Sequence, residues 1–339
     1  MPTPSRPTLA AVARAAGVSL KTASRVLNDE PHVAGATRAK VRAAALELGF
    51  RRNAAAADLA RGGAARLVGF VTADIANRFY ASIGSGIEQS LHGDGLQLMS
   101  ASSREDPARE RDLAEAFVER RVAALVLAPT AADHTYLAPE VAAGLPLVLV
   151  DRPAEGVDAD TVVIDNSGGV RQAVDHLAAH GHTRIALVGD LPRVWTFQER
   201  RRAFLRAMAD HGVDGAERWV RDGAHDPATA ARFVTELLAS PDPPTAVLAA
   251  NNLITRGALH ALRRIGERAE ALPALVGFDD FELADLLDVT VVAYDAEEIG
   301  RQAARLALDR AATPARPVQH RVVPTRLVAR GSGERPPAA

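Results

Sequence analysis

Residues 8–50 read TLAAVARAAGVSLKTASRVLNDEPHVAGATRAKVRAAALELGF. Leu9, Val12, Ala13 and Ala16 recur at helical spacing, which gives the first segment one apolar face. Thr8 offers a side-chain oxygen to its first turn, and Gly17 ends it where a left-handed residue is needed. Val18 tucks under the turn, and Ser19 caps a second helix running to about Asn28. Two short helices joined by a glycine turn make a helix-turn-helix. Ala23, Val26 and Leu27 of the second helix face inward. A third helix over 37–48 is expected to add Val41, Ala45 and Leu48 to the same core. Ser19, Leu20, Lys21, Thr22, Ser24, Arg25 and Asn28 are left on the outer face or near the ends of the second helix, where base edges and phosphates of a duplex would lie. Arg25 can bond bidentately to guanine O6 and N7, a contact that discriminates by about 1–3 kcal/mol. The other basic residues would supply salt-dependent phosphate binding without sequence choice.

Charge separates this head from the rest of the chain. Residues 1–66 carry 11 Lys+Arg against 4 Asp+Glu, and the remainder carries 29 against 38. A basic head on an acidic body fits a chain in which only the head meets a polyanion; a solvated basic face is the alternative. The whole chain has 339 residues, 47% hydrophobic and 24% charged, a balance that excludes disorder as the main state. Without cysteine, disulfides, thiolate metal sites and cysteine nucleophiles are excluded. No stretch reaches the roughly 18 consecutive apolar residues of a membrane helix. The N-terminus lacks the apolar run of a secretory signal. The chain reads as cytosolic, with no membrane partner.

From residue 66 onward short apolar runs alternate with amphipathic stretches. LVGFVTA (67–73), LQLMSAS (96–102), AALVLAP (123–129) and PLVLVD (146–151) read as strands of a parallel sheet covered on both faces, with helices over 81–92 and 107–120. A second series consists of TVVID (161–165), RIALVGD (184–190), ERWVRDG (217–223), TAVLAAN (245–251) and PALVGFDD (273–280). Two such series predict two doubly wound lobes with right-handed crossovers. Ligands in such sheets bind beyond the C-terminal ends of the strands. Polar residues collect there: Asp74, then Asp151 and Arg152, Asp165 and Asn166, Asn251 and Asn252, Asp279 and Asp280, with Arg200 early in a following helix. One such Asp is an ordinary helix cap, but repetition at five strand ends points to a polar, concave site. Carboxylates, amides and an arginine suit hydroxyl-rich ligands, because each hydroxyl both donates and accepts.

The segment AVARAAGVSLKTASRVLN resembles the signature of the LacI/GalR family of bacterial transcription regulators. The resemblance extends over about residues 8–331 through PLVLVDRP, VVIDN, TAVLAANN, LVGFDD and RLVARGSG. It implies an all-α helix-turn-helix head and an α/β body of two doubly wound lobes like a periplasmic sugar-binding fold. It also implies a hinge at Asn53, Ala56 and Leu59, within NAAAADLARGG, that turns helical on operator DNA. There Leu59 would wedge a central minor-groove step open, a known way to kink a duplex. By composition alone the same segment is a short helix and a flexible joint. Arg52 stands where a proline is common, and Asp58 puts an acid near phosphates. Carried over by position, the effector contacts are Asp74, Phe79, Tyr80, Asp151, Asp165, Arg200, Asn251 and Asp279. His225 falls about where an aromatic ring often stacks on the ligand. Asn252 replaces a usual aspartate, and Asp295 a frequent glutamine, so no specific sugar is implied and a nucleobase stays open.

Enzyme readings fare worse. Gly84 and Gly86 form a G-x-G, yet Gln89 takes the third glycine position and the pair lies inside a helical pattern. No G-x-S-x-G elbow or G-x-x-x-x-G-K-[ST] loop occurs. His176 and His180 share a helix face and His182 comes soon after, but no further ligand is obvious; exposed histidines at a helix end are the better account. The pairs Asp279/Asp280 and Glu297/Glu298 show no acid/base geometry. The expectation is a regulator of the repressor type, with no catalytic residue, metal or cofactor. Its partners are double-stranded operator DNA, a small-molecule effector (a sugar before a nucleobase) and a second copy. A dimer is preferred to a tetramer because GERPPAA shows no heptad. The expected parts are a head over 1–52, a hinge over 53–65, a body over 66–331 and a tail over 332–339. Within the body, one lobe takes about 66–164 and 296–324, and the other about 165–292 and 325–331.

Overall fold

The structure, a computed structural model, describes residues 7–51, 65–266 and 272–337. The chain divides into two compact units, Met1–Ala65 and Arg66–Ala339. The hinge positions Asn53, Ala56 and Leu59 lie outside the described residues.

The first unit holds α1 (Leu9–Ala16), α2 (Leu20–Leu27) and α3 (Gly35–Glu47). The Ala11 N–H donates to the Thr8 hydroxyl at 3.2 Å and the Thr22 N–H to the Ser19 hydroxyl at 3.1 Å, so both expected caps form. Gly17 sits at φ +66°. Val12, Ala13, Ala23, Val26, Val41, Ala44 and Ala45 make the buried core. Leu48 is a correction: it is 37% exposed, and Ala44 is buried on α3 instead. The cause is the helix end. Gly49 is left-handed at φ +64°, and the Phe50 N–H donates to the Ala45 carbonyl at 2.8 Å. That turn swings Phe50 onto the core while Leu48 points outward.

The second unit contains two six-stranded sheets. The strands are β1 (Ala65–Thr72), β2 (Gln97–Ser102), β3 (Val122–Leu127), β4 (Leu147–Val150), β5 (Asp160–Ile164), β6 (Ile185–Val188), β7 (Val220–Arg221), β8 (Ala246–Ala249), β9 (Ala274–Phe278), β10 (Thr290–Ala293), β11 (His320–Val323) and β12 (Arg326–Val328). The orders are β11-β5-β4-β3-β1-β2 and β12-β10-β9-β8-β6-β7. Strands β3, β4 and β9 are buried almost throughout, as parallel strands covered on both faces should be. At the edge of the second sheet, β12 runs antiparallel to its neighbour β10. The helices are α4 (Arg78–Leu91), α5 (Pro107–Glu119), α6 (Ala138–Ala142), α7 (Asn166–Ala179), α8 (Trp195–Asp210), α9 (Pro227–Leu238), α10 (Asn252–Gly266) and α11 (Ala296–Ala312).

One difference from the sequence reading has a local cause. α4 begins at Arg78 rather than near residue 81, because the Asn77 side chain accepts from the Phe79 N–H at 3.1 Å and caps it earlier. TVVID, grouped by its pattern with the second series although the expected first lobe extends to about 164, lies in the first sheet, as that lobe boundary implies. As β5 it pairs with β4 (Leu149 opposite Thr161) and β11 (His320 opposite Thr161) in the first. The chain therefore passes between lobes after β5, between β10 and α11, and between β11 and β12.

The G-x-G in α4 has a packing role. A Cβ on Gly86 would lie 2.0 Å from the Glu297 carbonyl oxygen, and one on Gly300 would lie 2.0 Å from that of Ile83. α4 and α11 thus touch backbone to backbone. Gly86→Ala should destabilise the second unit by about 1–3 kcal/mol or more, since neither helix can yield without moving its sheet. Chemical denaturation measures this, and an unchanged unfolding midpoint would refute the close approach. Among the described residues no helix is long and apolar enough to cross a membrane.

Residues 332–337, expected as a tail, are bonded into the second sheet's lower end. Ser332 is buried, its N–H donates to the Asp288 carbonyl at 3.0 Å, and its hydroxyl accepts from the Thr290 N–H at 2.9 Å. Here the histidine reading needs correcting, because His182 is buried, not exposed. It bonds the Thr245 hydroxyl and the Arg335 carbonyl, both at 2.8 Å, while His176 meets Glu334 at 2.5 Å. These are contacts within the protein, and no group of His, Asp and Glu among the described residues is arranged to hold a metal.

Candidate functional site

The C-terminal ends of the strands of both lobes converge on one cleft. The same device appears on each side. After β4, Asp151 is left-handed at φ +72°; after β9, Asp279 is left-handed at φ +75°. Such a conformation costs of order 1–3 kcal/mol and tends to persist where function holds it. The Tyr80 hydroxyl donates to Asp151 at 3.0 Å, and the Tyr294 hydroxyl donates to Asp279 at 2.6 Å. Burial, then the neighbouring carboxylate, pushes both phenols well above their ordinary pKa. Both therefore remain protonated donors. Burial also raises the Asp151 carboxyl, against the pull of Arg152 and Arg200.

Arg152 is buried beside Asp151. Its Nε donates to Asp151 at 3.2 Å, and its two terminal nitrogens donate to Glu105 at 3.1 and 2.7 Å. Burial works against its charge, but Tyr80, Asp151 and Glu105 outweigh that and hold its pKa well above the usual arginine value. On the other lobe, Arg200 of α8 lies over the Phe278 ring at 3.8 Å. Its Nε donates to the Asn166 side chain at 2.8 Å, and Nη1 donates to the Ala250 carbonyl. Asp190, just after β6, accepts from Asn251 at 3.1 Å and pairs with His225 at 2.8 Å. The bond to Asp190 raises the His225 pKa although partial burial opposes it. The Asn252 N–H, opening α10, donates to Asp279 at 3.0 Å.

These groups leave about 90 Å³ at the cleft bottom. A wider space of about 600 Å³ shares Phe79, Asn252, Asp279 and Tyr294 with it. Asn252 donates to Asn77 at 2.8 Å, and Arg78 pairs with Glu282, so the lobes meet across the opening.

Of the residues anticipated from sequence, Asp74, Phe79, Tyr80, Asp151, Arg200, His225, Asn251 and Asp279 all line this cleft. Asp165 does not. It caps α7, accepting from the Gly168 N–H at 2.8 Å, where the chain passes from one lobe to the other. Sequence reading missed Glu105, Asp190 and Tyr294. Tyr294 comes directly after β10 and Asp190 two residues after β6, the signal that found Asp74, Asp151, Asn251 and Asp279. Beside Asp279, the acids of the two adjacent pairs are held by arginines: Asp280 by Arg330, and Glu297 and Glu298 by Arg301.

In the first unit, Ser19, Leu20 and Lys21 are exposed, whereas Thr22, Ser24, Arg25 and Asn28 are half-buried. Arg25 is less free than its position implied. Its Nε donates to Glu30 at 3.3 Å and Nη2 to the Pro31 carbonyl at 3.1 Å. Arg38 and Arg42 both pair with Asp29. Part of the head's positive charge is thus neutralised within it.

Residues 8–53 match the bacterial regulatory proteins, lacI family, and residues 174–333 match the periplasmic binding protein-like domain. The chain is 31% identical over 332 residues to the HTH-type transcriptional regulator GalR of Salmonella typhimurium, covering 97% of this chain and 96% of that protein. Among solved structures it resembles the transcriptional regulator CelR–cellobiose complex, with 32% identity, a TM-score of 0.70, and 96% and 100% of the two chains covered. It also resembles the lac repressor dimer bound to operator and the anti-inducer ONPF, with 26% identity, a TM-score of 0.83, and 97% and 99% covered.

Proposed function

Because the chain belongs to the lacI family of bacterial regulatory proteins and is a DNA-binding transcriptional regulator, we propose that it is a repressor. It binds a palindromic operator as a homodimer, and a small polyhydroxylated effector, a sugar, between the lobes controls it. The carrying observation is the matched pair in the cleft: Asp151 with Tyr80 from one lobe, Asp279 with Tyr294 from the other. A ligand bonded to both pairs favours one arrangement of the lobes over another. It regulates only to the extent that it binds one arrangement more tightly, and couplings of about 1–3 kcal/mol are typical.

On the DNA side, Lys21 and Leu20 present the exposed face of α2, and Arg25 turns from Glu30 to a guanine. The DNA contacts extend to Asn53, Ala56 and Leu59, which lie outside the described residues. Selection from a randomised duplex library tests this reading. The protein should enrich a two-fold symmetric site, with affinity altered by a sugar. Arg25→Ala should lose about 1–3 kcal/mol of discrimination at one guanine per half-site, while phosphate-driven binding to bulk DNA persists. No symmetric site, or an unchanged guanine preference, refutes the respective part.

A further inference from the structure

We propose that Glu105 sets the charge class of the cleft ligand: by filling the Arg152 fork, it restricts the cleft to uncharged polyhydroxy compounds and excludes sugar acids and sugar phosphates. This rests on the effector reading above and deepens it.

Glu105 reaches the cleft by an unusual path. It and Arg104 are consecutive left-handed residues, φ +57° and +56°, where glycine would sit without strain. The turn is anchored just before them. The buried Ser103 N–H donates to the Thr72 carbonyl at 2.8 Å, and its hydroxyl lies 3.2 Å from that of Thr130. Joining β2 to α5 does not by itself require a carboxylate in that strained place. What the turn achieves is the two-point contact with Arg152.

That contact leaves little for an anion to take. A guanidinium fork is the group best matched to a carboxylate or phosphate, but all three Arg152 nitrogens are engaged: by Glu105, by Asp151 and by the Tyr80 hydroxyl at 3.1 Å. Arg200 is bound to Asn166 and the Ala250 carbonyl, and His225 is bound to Asp190. Among the described residues, five carboxylates (Asp74, Glu105, Asp151, Asp190, Asp279) line the cleft against two guanidiniums and one imidazole. An anionic ligand would enter against that surplus in a poorly solvated space, where charge repulsion is strong. A neutral polyol meets the same carboxylates as acceptors.

The test compares the full-length protein with Glu105→Gln by titration calorimetry. The probes are matched pairs: galactose and galacturonate, glucose and gluconate, ribose and ribose 5-phosphate, cellobiose and cellobionate. Wild type should bind the neutral member of at least one pair roughly tenfold more tightly than its acid. Glu105→Gln should move that ratio toward the acid by roughly tenfold or more, because one negative charge is lost and at least one of the two fork bonds is released. Glu105→Gly, which suits the left-handed backbone, should shift the ratio likewise and serves if the glutamine variant folds poorly. A merely structural role would weaken both members of a pair equally. Wild-type preference for an acid, or a ratio unmoved in both variants, overturns the proposal. Failure of wild type to bind any probe overturns the effector reading beneath it as well.

Discussion

Asp279→Ala should leave DNA binding intact while the proposed response to a cleft ligand is lost, with affinity for that ligand down by about a hundredfold. Asp279 is buried; one oxygen accepts from Tyr294 and the other from the Asn252 N–H. A carboxylate has about four lone-pair sites, so both oxygens can still accept from a ligand. Truncation removes those acceptors and strands the tyrosine hydroxyl and the amide. An unpaired buried group costs about 1–3 kcal/mol, and about 1.4 kcal/mol is tenfold in affinity. Asp279→Asn keeps the shape and tolerates the left-handed backbone, so its loss should be about tenfold smaller. Gel shift on a selected operator, with and without ligand, separates the two activities. Normal ligand response in the alanine variant would mean that the ligand does not bind between the lobes.

Glu110→Ala should cost about 1–3 kcal/mol of stability in the second unit, the cost of leaving a buried polar group without its partner. Glu110 of α5 and His134 are both fully buried, 2.8 Å apart. Glu110 also accepts from the Thr130 N–H and, at 3.5 Å, from the Tyr136 hydroxyl. Among the described residues the His134 Nδ1 already lacks a protein partner, so removing Glu110 leaves the imidazole with none. Glu110→Gln retains an acceptor for the Thr130 amide and should lose less. Urea denaturation of both variants measures the difference. A loss below about 1 kcal/mol, the value of an ordinary net hydrogen bond, would contradict the pairing.

Much of this architecture was legible in the chain because it depends on neighbours. The caps at Thr8 and Ser19 and the glycine turn at Gly17 join residues within four positions of each other. The apolar runs that became β3, β4, β8 and β9 declare themselves by local composition. Strand-end polar residues led to Asp74, Asp151, Arg152, Asn251, Asn252 and Asp279 in the cleft for the same reason, whereas Phe79, Tyr80 and His225 were reached only through the family resemblance. Leu48 failed because Phe50, returning across Gly49, took its place on the core.

Residue order alone was enough for the helix-turn-helix head, the two α/β lobes and most of a polar cleft, since helix caps, turns and strand periodicity are written within a few residues. It took the folded chain to establish that Asp165 caps a helix while Asp151 faces the cleft, and that Glu105 holds Arg152. The cause is separation along the chain. Glu105 and Arg152 are 47 residues apart, and Asp190 and Asn251 are 61 apart. Such pairings come from how strands order in a sheet and from where a left-handed residue aims its side chain, neither of which leaves a periodic mark in the sequence.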